Sequence, residues 1–383
     1  MSKNTINIDK GNNTIKKSLF SRIAFDKEKY IYKIMINSKL TPDLVDEYEQ
    51  TLILSYINGV TLRASTMDEE IFYRLANWMI SFQEVFYKKT GRYCVLEDPN
   101  FGNFIIYEKA IYGVDFEHWS YGDLEQCYAK LLAYVETMYL EEPYDAKYIS
   151  RKMSVLFEKS GADIKRINIL VEIEKDNILK RRKVKKIIGK TTAAILIGGK
   201  GSRLGGVDKS KILYKDYTFL DYIEYEMDIF DEIIYSVSTI NKENNSLRRF
   251  IEDNPKEIGP AGALNALFNS CKSEYLLIWS CDMPFVKKDF IINMFCSVTE
   301  NTKALIPIDN GGYYPLSAIY STEIKYEIEK QVHNDTRKVF RLLENIEITD
   351  FICKENEKSL RNINTKEDFK KISNIYMLQI KNF

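Results

Sequence analysis

The sequence lacks an excess of charge of either sign, a long apolar run and a histidine pattern for metal binding. Its 55 Lys+Arg balance 55 Asp+Glu, so no net field attracts nucleic acid or a membrane surface. No run of about 18 apolar residues occurs and the N-terminus is polar, which argues against a membrane span and a signal peptide. Two histidines and six cysteines without paired spacing argue against a zinc site and favour reduced thiols. We therefore expect a cytoplasmic protein that binds neither nucleic acid nor a membrane.

The length and composition are those of a globular protein with more than one domain. A chain of 383 residues with 45% hydrophobic residues can form two or three domains with proper cores. A basic cluster at residues 180–186 precedes a glycine-rich segment, and we place a domain boundary near Lys190. The division predicts an N-terminal α+β domain over residues 1–185 and a C-terminal α/β domain over residues 190–383.

A glycine-rich segment opens the C-terminal domain. Residues 193–197 form a short apolar run, which is typical of a buried parallel strand. Glycines follow at positions 198, 199, 201, 205 and 206, so backbone N–H groups can approach an anionic ligand closely. Arg203 and Lys209 add two cations, and the loop therefore suits a triphosphate. A glycine-rich surface turn with incidental charges is the alternative interpretation.

Strands and helices alternate after residue 211. The pattern predicts helices over residues 221–230 and 247–252 and from residue 259, and strands over residues 233–237 and 275–280. Such alternation predicts a parallel sheet with helices on both faces, whose ligands bind beyond the carboxyl ends of the strands. The glycine-rich loop, Ser238, Asp253 and Asp282 would all lie at that edge and bind the nucleotide.

Asp282 directly follows the strand predicted at residues 275–280, in the segment Cys-Asp-Met-Pro-Phe. A carboxylate at the carboxyl end of a strand, opposite a triphosphate loop, is well placed to bind Mg²⁺. The alternative is an aspartate that caps the turn before Pro284.

Residues 192–373 resemble the molybdenum cofactor guanylyltransferases through five elements in the family's order. These are Leu-Ile-Gly-Gly at 196–199, Arg-Leu-Gly-Gly with Asp-Lys at 203–209, Gly-Pro-Ala-Gly-Ala at 259–263, Cys-Asp-Met-Pro-Phe at 281–285 and Asn-Ile-Asn-Thr-Lys-Glu-Asp at 362–368. Ile197 stands where the family usually has alanine, and Lys366 replaces its proline.

The resemblance implies a Rossmann-like nucleotidyltransferase sandwich that moves GMP from GTP to the phosphate of molybdopterin and releases pyrophosphate. Lys209 and Arg203 would stabilise the leaving group, and Asp282 would hold the catalytic Mg²⁺. The nucleotide contacts that it implies come from Leu196, Ile197, Gly198, Gly199, Lys209, Asp253 and Asp282. A cytidylyl version that uses CTP is a close variant.

The N-terminal domain carries a second set of carboxylates. Alternating apolar residues predict a hairpin over residues 18–37, and a capping box at Thr66 predicts the start of a helix. Asp98 and Asn103 lie five positions apart on a loop, and a hairpin then delivers Asp115. Such a set of side chains can hold a metal-bound nucleotide.

These loops resemble the kinase-like superfamily that includes choline and aminoglycoside kinases. The resemblance implies Asp98 as the base, Asn103 and Asp115 as metal ligands, Lys33 as the phosphate lysine and residues 52–62 as the hinge for adenine.

The departures from that superfamily keep the N-terminal function open. Leu96 stands where histidine is usual, no glycine-rich lid precedes Lys33, and Glu47 or Glu49 would have to replace the partner glutamate. An active kinase, a nucleotide-binding pseudokinase and a vestigial scaffold are the interpretations.

The fusion of two such domains suggests two alternatives to the guanylyltransferase function. In the first, the chain phosphorylates a small alcohol and then caps it with a nucleotide. In the second, the N-terminal domain is a binding or regulatory module only.

Overall fold

The computed structural model describes residues 4–66, 68–138, 145–197, 209–240, 248–256, 258–334, 336–354, 357–365 and 367–370. They divide into two compact units, an N-terminal unit of residues 4–182 and a C-terminal unit that begins at Lys183. No helix in these ranges combines the length and the apolarity needed to cross a membrane.

The N-terminal unit mixes strands and helices. Its strands are β1 (Thr5–Asp9), β2 (Thr14–Ser18), β3 (Leu44–Tyr48), β4 (Thr51–Ser55), β5 (Val60–Thr61), β6 (Tyr93–Leu96), β7 (Phe104–Tyr107), β8 (Ala110–Gly113) and β9 (Trp119–Gly122). Its helices are α1 (Arg22–Ile34), α2 (Glu69–Thr90), α3 (Leu124–Thr137), α4 (Ala146–Lys159) and α5 (Ile164–Ile188), the last of which runs past the boundary. An antiparallel sheet has the order β1-β2-β4-β3, while β5-β7-β8 and β6-β9 form smaller sheets.

Residues 22–34 form helix α1, so the hairpin predicted over residues 18–37 is wrong. The Ser21 side chain caps the helix by accepting a hydrogen bond from the Ala24 N–H at 3.3 Å. The buried residues of α1 recur at helical spacing, namely Ile23, Ala24, Phe25, Glu28, Ile31 and Tyr32.

Helix α2 begins at Glu69 rather than at Thr66. The Asp68 side chain accepts a hydrogen bond from the Ile71 N–H at 2.8 Å and therefore takes the capping role. The helix ends at Thr90 and is capped by Gly91, whose φ of 71° is a left-handed conformation that glycine adopts without strain.

The C-terminal unit is a sheet covered by helices. Its strands are β10 (Thr191–Leu196), β11 (Leu213–Tyr214), β12 (Tyr217–Thr218), β13 (Glu232–Val237), β14 (Arg249–Glu252), β15 (Tyr275–Ser280), β16 (Ala304–Asp309), β17 (Gly312–Tyr313), β18 (Ala318–Ser321) and β19 (Ile348–Ile352). Its helices are α6 (Phe219–Glu226), α7 (Pro260–Ser270), α8 (Lys288–Cys296), α9 (Lys325–His333) and α10 (Val339–Leu342).

The main sheet has the order β14-β13-β10-β15-β18-β16-β17, with β19 paired to β16. Strands β13, β10 and β15 are parallel, as predicted, and β14 also pairs in parallel with β13, whereas β18 pairs antiparallel with both β15 and β16. Alternate residues of β15 face opposite sides. Leu276 and Ile278 pack in one core with Leu264 and Leu267 of α7, and Trp279 makes an edge contact with Phe290 of α8.

The helix predicted over residues 247–252 is wrong. Arg249–Glu252 is strand β14, which pairs in parallel with β13 at the edge of the sheet. Four residues are too few to separate a helical from a strand period, so pairing with β13 decides the conformation.

Candidate functional site

The carboxyl ends of three parallel strands meet at one edge of the C-terminal sheet. Leu196 of β10 is in register with Ser236 of β13 and with Ser280 of β15. The Ile197 N–H donates to the Ser236 carbonyl at 3.0 Å, and the Cys281 N–H donates to the Leu196 carbonyl at 3.1 Å. The residues that follow each strand are therefore neighbours, as the sequence predicts.

Lys209 and Asp282 lie together at this edge. The Lys209 Nζ is 3.3 Å from the Asp282 Oδ2, and each side chain is only about one-fifth exposed, at 19% and 20%. The same ammonium donates to the Asn364 Oδ1 at 2.5 Å. The structure thus brings the predicted cation and the predicted metal-binding carboxylate into one site.

Two asparagines outside the predicted site residues complete this site. With its amide nitrogen facing Asp282, the Asn362 side chain donates to both carboxylate oxygens, at 3.0 and 2.9 Å. The Ile363 N–H donates to the Asp282 carbonyl at 2.8 Å. The Asp368 Oδ2 accepts from the Asn364 and Thr365 N–H groups at 3.1 and 2.9 Å, which fixes the segment. The sequence signal was the family-like motif at 362–368, but spacing alone does not reveal its contact with Asp282.

Asp253 and Ser238 lie at the same edge. Asp253 follows β14 and accepts a hydrogen bond from the Ser236 hydroxyl at 2.7 Å, while Ser238 follows β13 and is exposed. Burial raises the pKa of Asp253, although the Ser236 hydroxyl partly opposes this shift.

A glycine-containing turn with a close backbone contact follows Asp253 in the chain. Gly259 has a φ of 67°, and a Cβ placed on Gly262 would lie 2.2 Å from the Pro255 carbonyl oxygen. The Asn254 N–H donates to the Gly262 carbonyl at 3.1 Å. Gly262, in the first turn of α7, must therefore be glycine because the Pro255 carbonyl approaches too closely for a side chain.

Three predicted site residues, Gly198, Gly199 and Arg203, lie outside the described residues. Leu196 is buried at the end of β10 and Ile197 is half-buried after it, so both border the edge where Lys209 and Asp282 meet.

The donor set at this edge fits a Mg²⁺ ion. The Asp282 Oδ2 and the Asn364 Oδ1 share one cation, the Lys209 ammonium. Carboxylate and amide oxygens are hard ligands, and Mg²⁺ is usually held by one or two carboxylates together with substrate phosphates. The ammonium thus marks a position that suits a metal cation.

The N-terminal unit brings Asp98, Asn103 and Asp115 into one region. The Asn103 Nδ2 donates to the Asp98 carbonyl at 3.0 Å, and the Val114 N–H donates to the Asn103 carbonyl at 2.8 Å. The exposed Asp98 carboxylate accepts from the Asn100 Nδ2 at 2.8 Å.

A buried lysine, Lys17 of β2, forms the centre of a charged cluster next to this region. Its Nζ lies 2.7 Å from Glu28, 2.8 Å from Asp115 and 2.7 Å from Glu117. Burial lowers the pKa of Lys17, but the three carboxylates outweigh it and hold this pKa well above its usual range. Burial raises the pKa of Glu117 to about 8, against the opposing charge of Lys17.

Lys33 does not join this cluster, so the structure does not support its prediction as the phosphate lysine. It lies in α1 rather than on a strand, its side chain is 55% exposed, and its Nζ pairs with Glu47 at 3.0 Å. Lys17 lies instead on β2, which pairs with β4 and sets Lys17 opposite Leu52, within the predicted hinge of residues 52–62.

Comparison with known proteins matches residues 193–348 to the family model described as "MobA-like NTP transferase domain". A protein of Peptoclostridium acidaminophilum named "Probable molybdenum cofactor guanylyltransferase" is 30% identical over 165 residues, which cover 41% of this chain and 74% of that protein. A protein of Clostridium perfringens (strain SM101 / Type A) with the same name is 28% identical over 188 residues, covering 47% and 94%. The crystal structure of molybdopterin-guanine dinucleotide biosynthesis protein A from Archaeoglobus fulgidus has 23% identity and a TM-score of 0.43, covering 49% of this chain and 98% of that one.

Proposed function

Because the chain belongs to the family of MobA-like NTP transferases and is a nucleotidyltransferase, we propose that its C-terminal unit transfers GMP from GTP to the phosphate of molybdopterin. The observation that supports this most is the Lys209–Asp282 pair at the carboxyl edge of the sheet. The names of these relatives, probable molybdenum cofactor guanylyltransferases, support molybdopterin as the acceptor over a small phosphorylated alcohol.

The proposed reaction needs no protein nucleophile. An oxygen of the acceptor phosphate attacks the α-phosphorus of GTP, and the bond from that phosphorus to the bridging oxygen breaks. Pyrophosphate leaves with the bonding electron pair. The acceptor is already an anion at neutral pH, so catalysis consists of positioning and of neutralising charge.

The described residues have separate roles in the proposed reaction. Lys209 stabilises charge on the leaving pyrophosphate, and Asn362 holds the Asp282 carboxylate in one orientation. Asp282 and Asn364 would hold Mg²⁺, which when bound neutralises the reacting phosphates. Residues at the ends of β10, β13 and β14 contact the nucleotide in this proposal, namely Leu196, Ile197, Ser238 and Asp253. For Gly198 and Gly199 we retain the nucleotide contacts, and for Arg203 the stabilisation of the leaving group, that the family resemblance implies.

A pyrophosphate-release assay tests this proposal. GTP, CTP and ATP are each offered with molybdopterin and with a small phosphorylated alcohol, and GTP with molybdopterin should react fastest. Asp282→Asn and Lys209→Met should each lower turnover about a hundredfold or more, the scale for losing one charge stabiliser. Lys287→Met is the matched control, because that lysine is 69% exposed and pairs with Glu226 instead. If CTP with the phosphorylated alcohol reacts fastest instead, the alternative function, in which the chain caps a phosphorylated alcohol with a nucleotide, replaces this one.

For the N-terminal unit we propose nucleotide binding, with Asn103 and Asp115 as metal ligands, Asp98 as the base and Lys17 in place of Lys33. Support comes from the contact of Lys17 with Asp115 and from its register with β4. ATP binding, measured by calorimetry on the full chain, should be lost in Asp115→Asn and unchanged in Lys33→Met. ATP consumption that stops in Asp98→Asn would indicate phosphoryl transfer, whereas binding without consumption would indicate a nucleotide-binding module. If the wild-type chain binds no ATP, the N-terminal unit is a scaffold and not a nucleotide-binding domain.

A further inference from the structure

The carboxylate of Asp282 is already surrounded by donors from the protein. Asn362 donates to both of its oxygens, at 3.0 and 2.9 Å, and the Lys209 ammonium donates to Oδ2 at 3.3 Å. An ionised carboxylate offers about four lone-pair sites, and the Asn362 amide and the Lys209 ammonium already occupy some of them. A metal ion that approaches Asp282 therefore meets a carboxylate that is already paired with a cation.

The Lys209 ammonium lies in the position that suits a metal cation. It bridges the Asp282 Oδ2 and the Asn364 Oδ1, the two oxygens proposed above as metal ligands. Both members of the ion pair are about four-fifths buried, so water screens their attraction less than at an exposed surface. The same partial burial makes a divalent cation beside the ammonium unfavourable.

We infer that Lys209 and the divalent cation compete for Asp282, so that the cation binds there only after a nucleoside triphosphate has drawn the ammonium away. This inference rests on the proposed function of the same site. A lysine side chain can make this exchange because its ammonium is a point charge on a flexible stem. The triphosphate attracts it more strongly than Asp282 does, since it carries more negative charge. Asn362 keeps the carboxylate oriented while its partner changes.

The competition has a thermodynamic consequence. If the nucleotide raises the affinity of Asp282 for the cation, then the cation raises the affinity for the nucleotide by the same factor. Couplings between sites are typically about 5- to 150-fold. Lys209 is the source of this coupling, so its removal should strengthen cation binding in the absence of nucleotide.

Mn²⁺ binding to the full-length chain, measured by electron paramagnetic resonance without nucleotide, tests the inference. Lys209→Met should bind Mn²⁺ at least about tenfold more tightly than the wild type, within the usual range of such couplings. Lys209→Arg keeps the positive charge and should bind Mn²⁺ no better than the wild type. The double variant Lys209→Met/Asp282→Asn should lose the gained site, which separates it from Mn²⁺ bound elsewhere on the chain. Equal binding by wild type and Lys209→Met, or a gained site that survives in the double variant, would overturn the competition.

A second measurement separates failure of this inference from failure of the proposed function. GTP affinity is measured with and without Mn²⁺ in the wild type and in Asp282→Asn. If Mn²⁺ raises GTP affinity only in the wild type, yet also binds the wild type tightly alone, the competition is wrong and the transferase site stands. If Mn²⁺ changes GTP affinity equally in the wild type and in Asp282→Asn, or in neither, then both the assignment of Asp282 as a metal ligand and the inference fail.

Discussion

Lys17 offers the most direct test of the N-terminal charged cluster, because one substitution removes the cation that faces three carboxylates. In Lys17→Met the Glu28 side chain, 0% exposed, would lose its counter-charge, while the Glu117 side chain, 10% exposed, would lose an ion-pair partner only at a pH above about 8, where it is ionised. Breaking a buried ion pair by removing one partner typically costs about 3–5 kcal/mol. Asp115 adds little to this cost since its side chain is 46% exposed. We therefore expect a loss of about 3–5 kcal/mol in the stability of the N-terminal unit.

Urea unfolding of the full-length chain measures this loss. Trp78 and Trp119 report on unfolding of the N-terminal unit by fluorescence, whereas Trp279 reports on the C-terminal unit. Hydrogen exchange of peptides from α1 shows which of the fluorescence transitions belongs to the N-terminal unit. Lys33→Met is the matched control, since its exposed pair with Glu47 is worth about 0–1 kcal/mol. The double variant Lys17→Met/Glu28→Gln should recover part of the loss. Equal stability of Lys17→Met and Lys33→Met would refute the assignment of Lys17 as the centre of the cluster.

Two further predictions concern pH and a close backbone contact. Because the pKa of Glu117 rises from 4.5 to about 8, the folded unit holds a proton that the unfolded chain releases, and its stability should fall as pH rises across this window. Urea unfolding at several pH values checks this, with a shallower fall expected in Glu117→Gln and a rise in wild-type stability contradicting it. Gly262→Ala should destabilise the C-terminal unit by about 1–3 kcal/mol, the usual cost of overpacking, because its Cβ would lie 2.2 Å from the Pro255 oxygen. Gly189→Ala, whose Cβ would meet nothing closer than 3.5 Å, should have a smaller effect, and equal melting shifts in the two variants would count against this account.

The C-terminal site could be predicted in part because two independent signals coincide there. A glycine-rich loop and Asp282 each follow an apolar run, and parallel strands bring their carboxyl ends to one edge. Contact between Asp282 and Asn362 could not be predicted in the same way. That contact depends on how the segment after β19 returns to the sheet, and the local sequence does not encode this return.

The N-terminal prediction failed at α1, and this error changed which lysine was expected to lie on a strand. Residues such as Ile31 and Tyr32 favour strands, but in the structure they follow the Ser21 cap and share a buried helical face. A hairpin over residues 18–37 would place Lys33 on a strand, whereas the structure places Lys17 on β2 and Lys33 in α1. The burial of Lys17 among carboxylates is a tertiary feature that composition does not reveal.

The contact between Lys209 and Asn364 joins residues that are 155 positions apart, and this separation affects when the site can form. During translation the ribosome adds β10 to β19 before it reaches Asn362 and Asn364. Until those asparagines emerge, a nascent chain carries Lys209 and Asp282 without the two side chains that orient them. The central strands can therefore fold first, while the site around Lys209 and Asp282 is complete only after residues 362–364 have been synthesised.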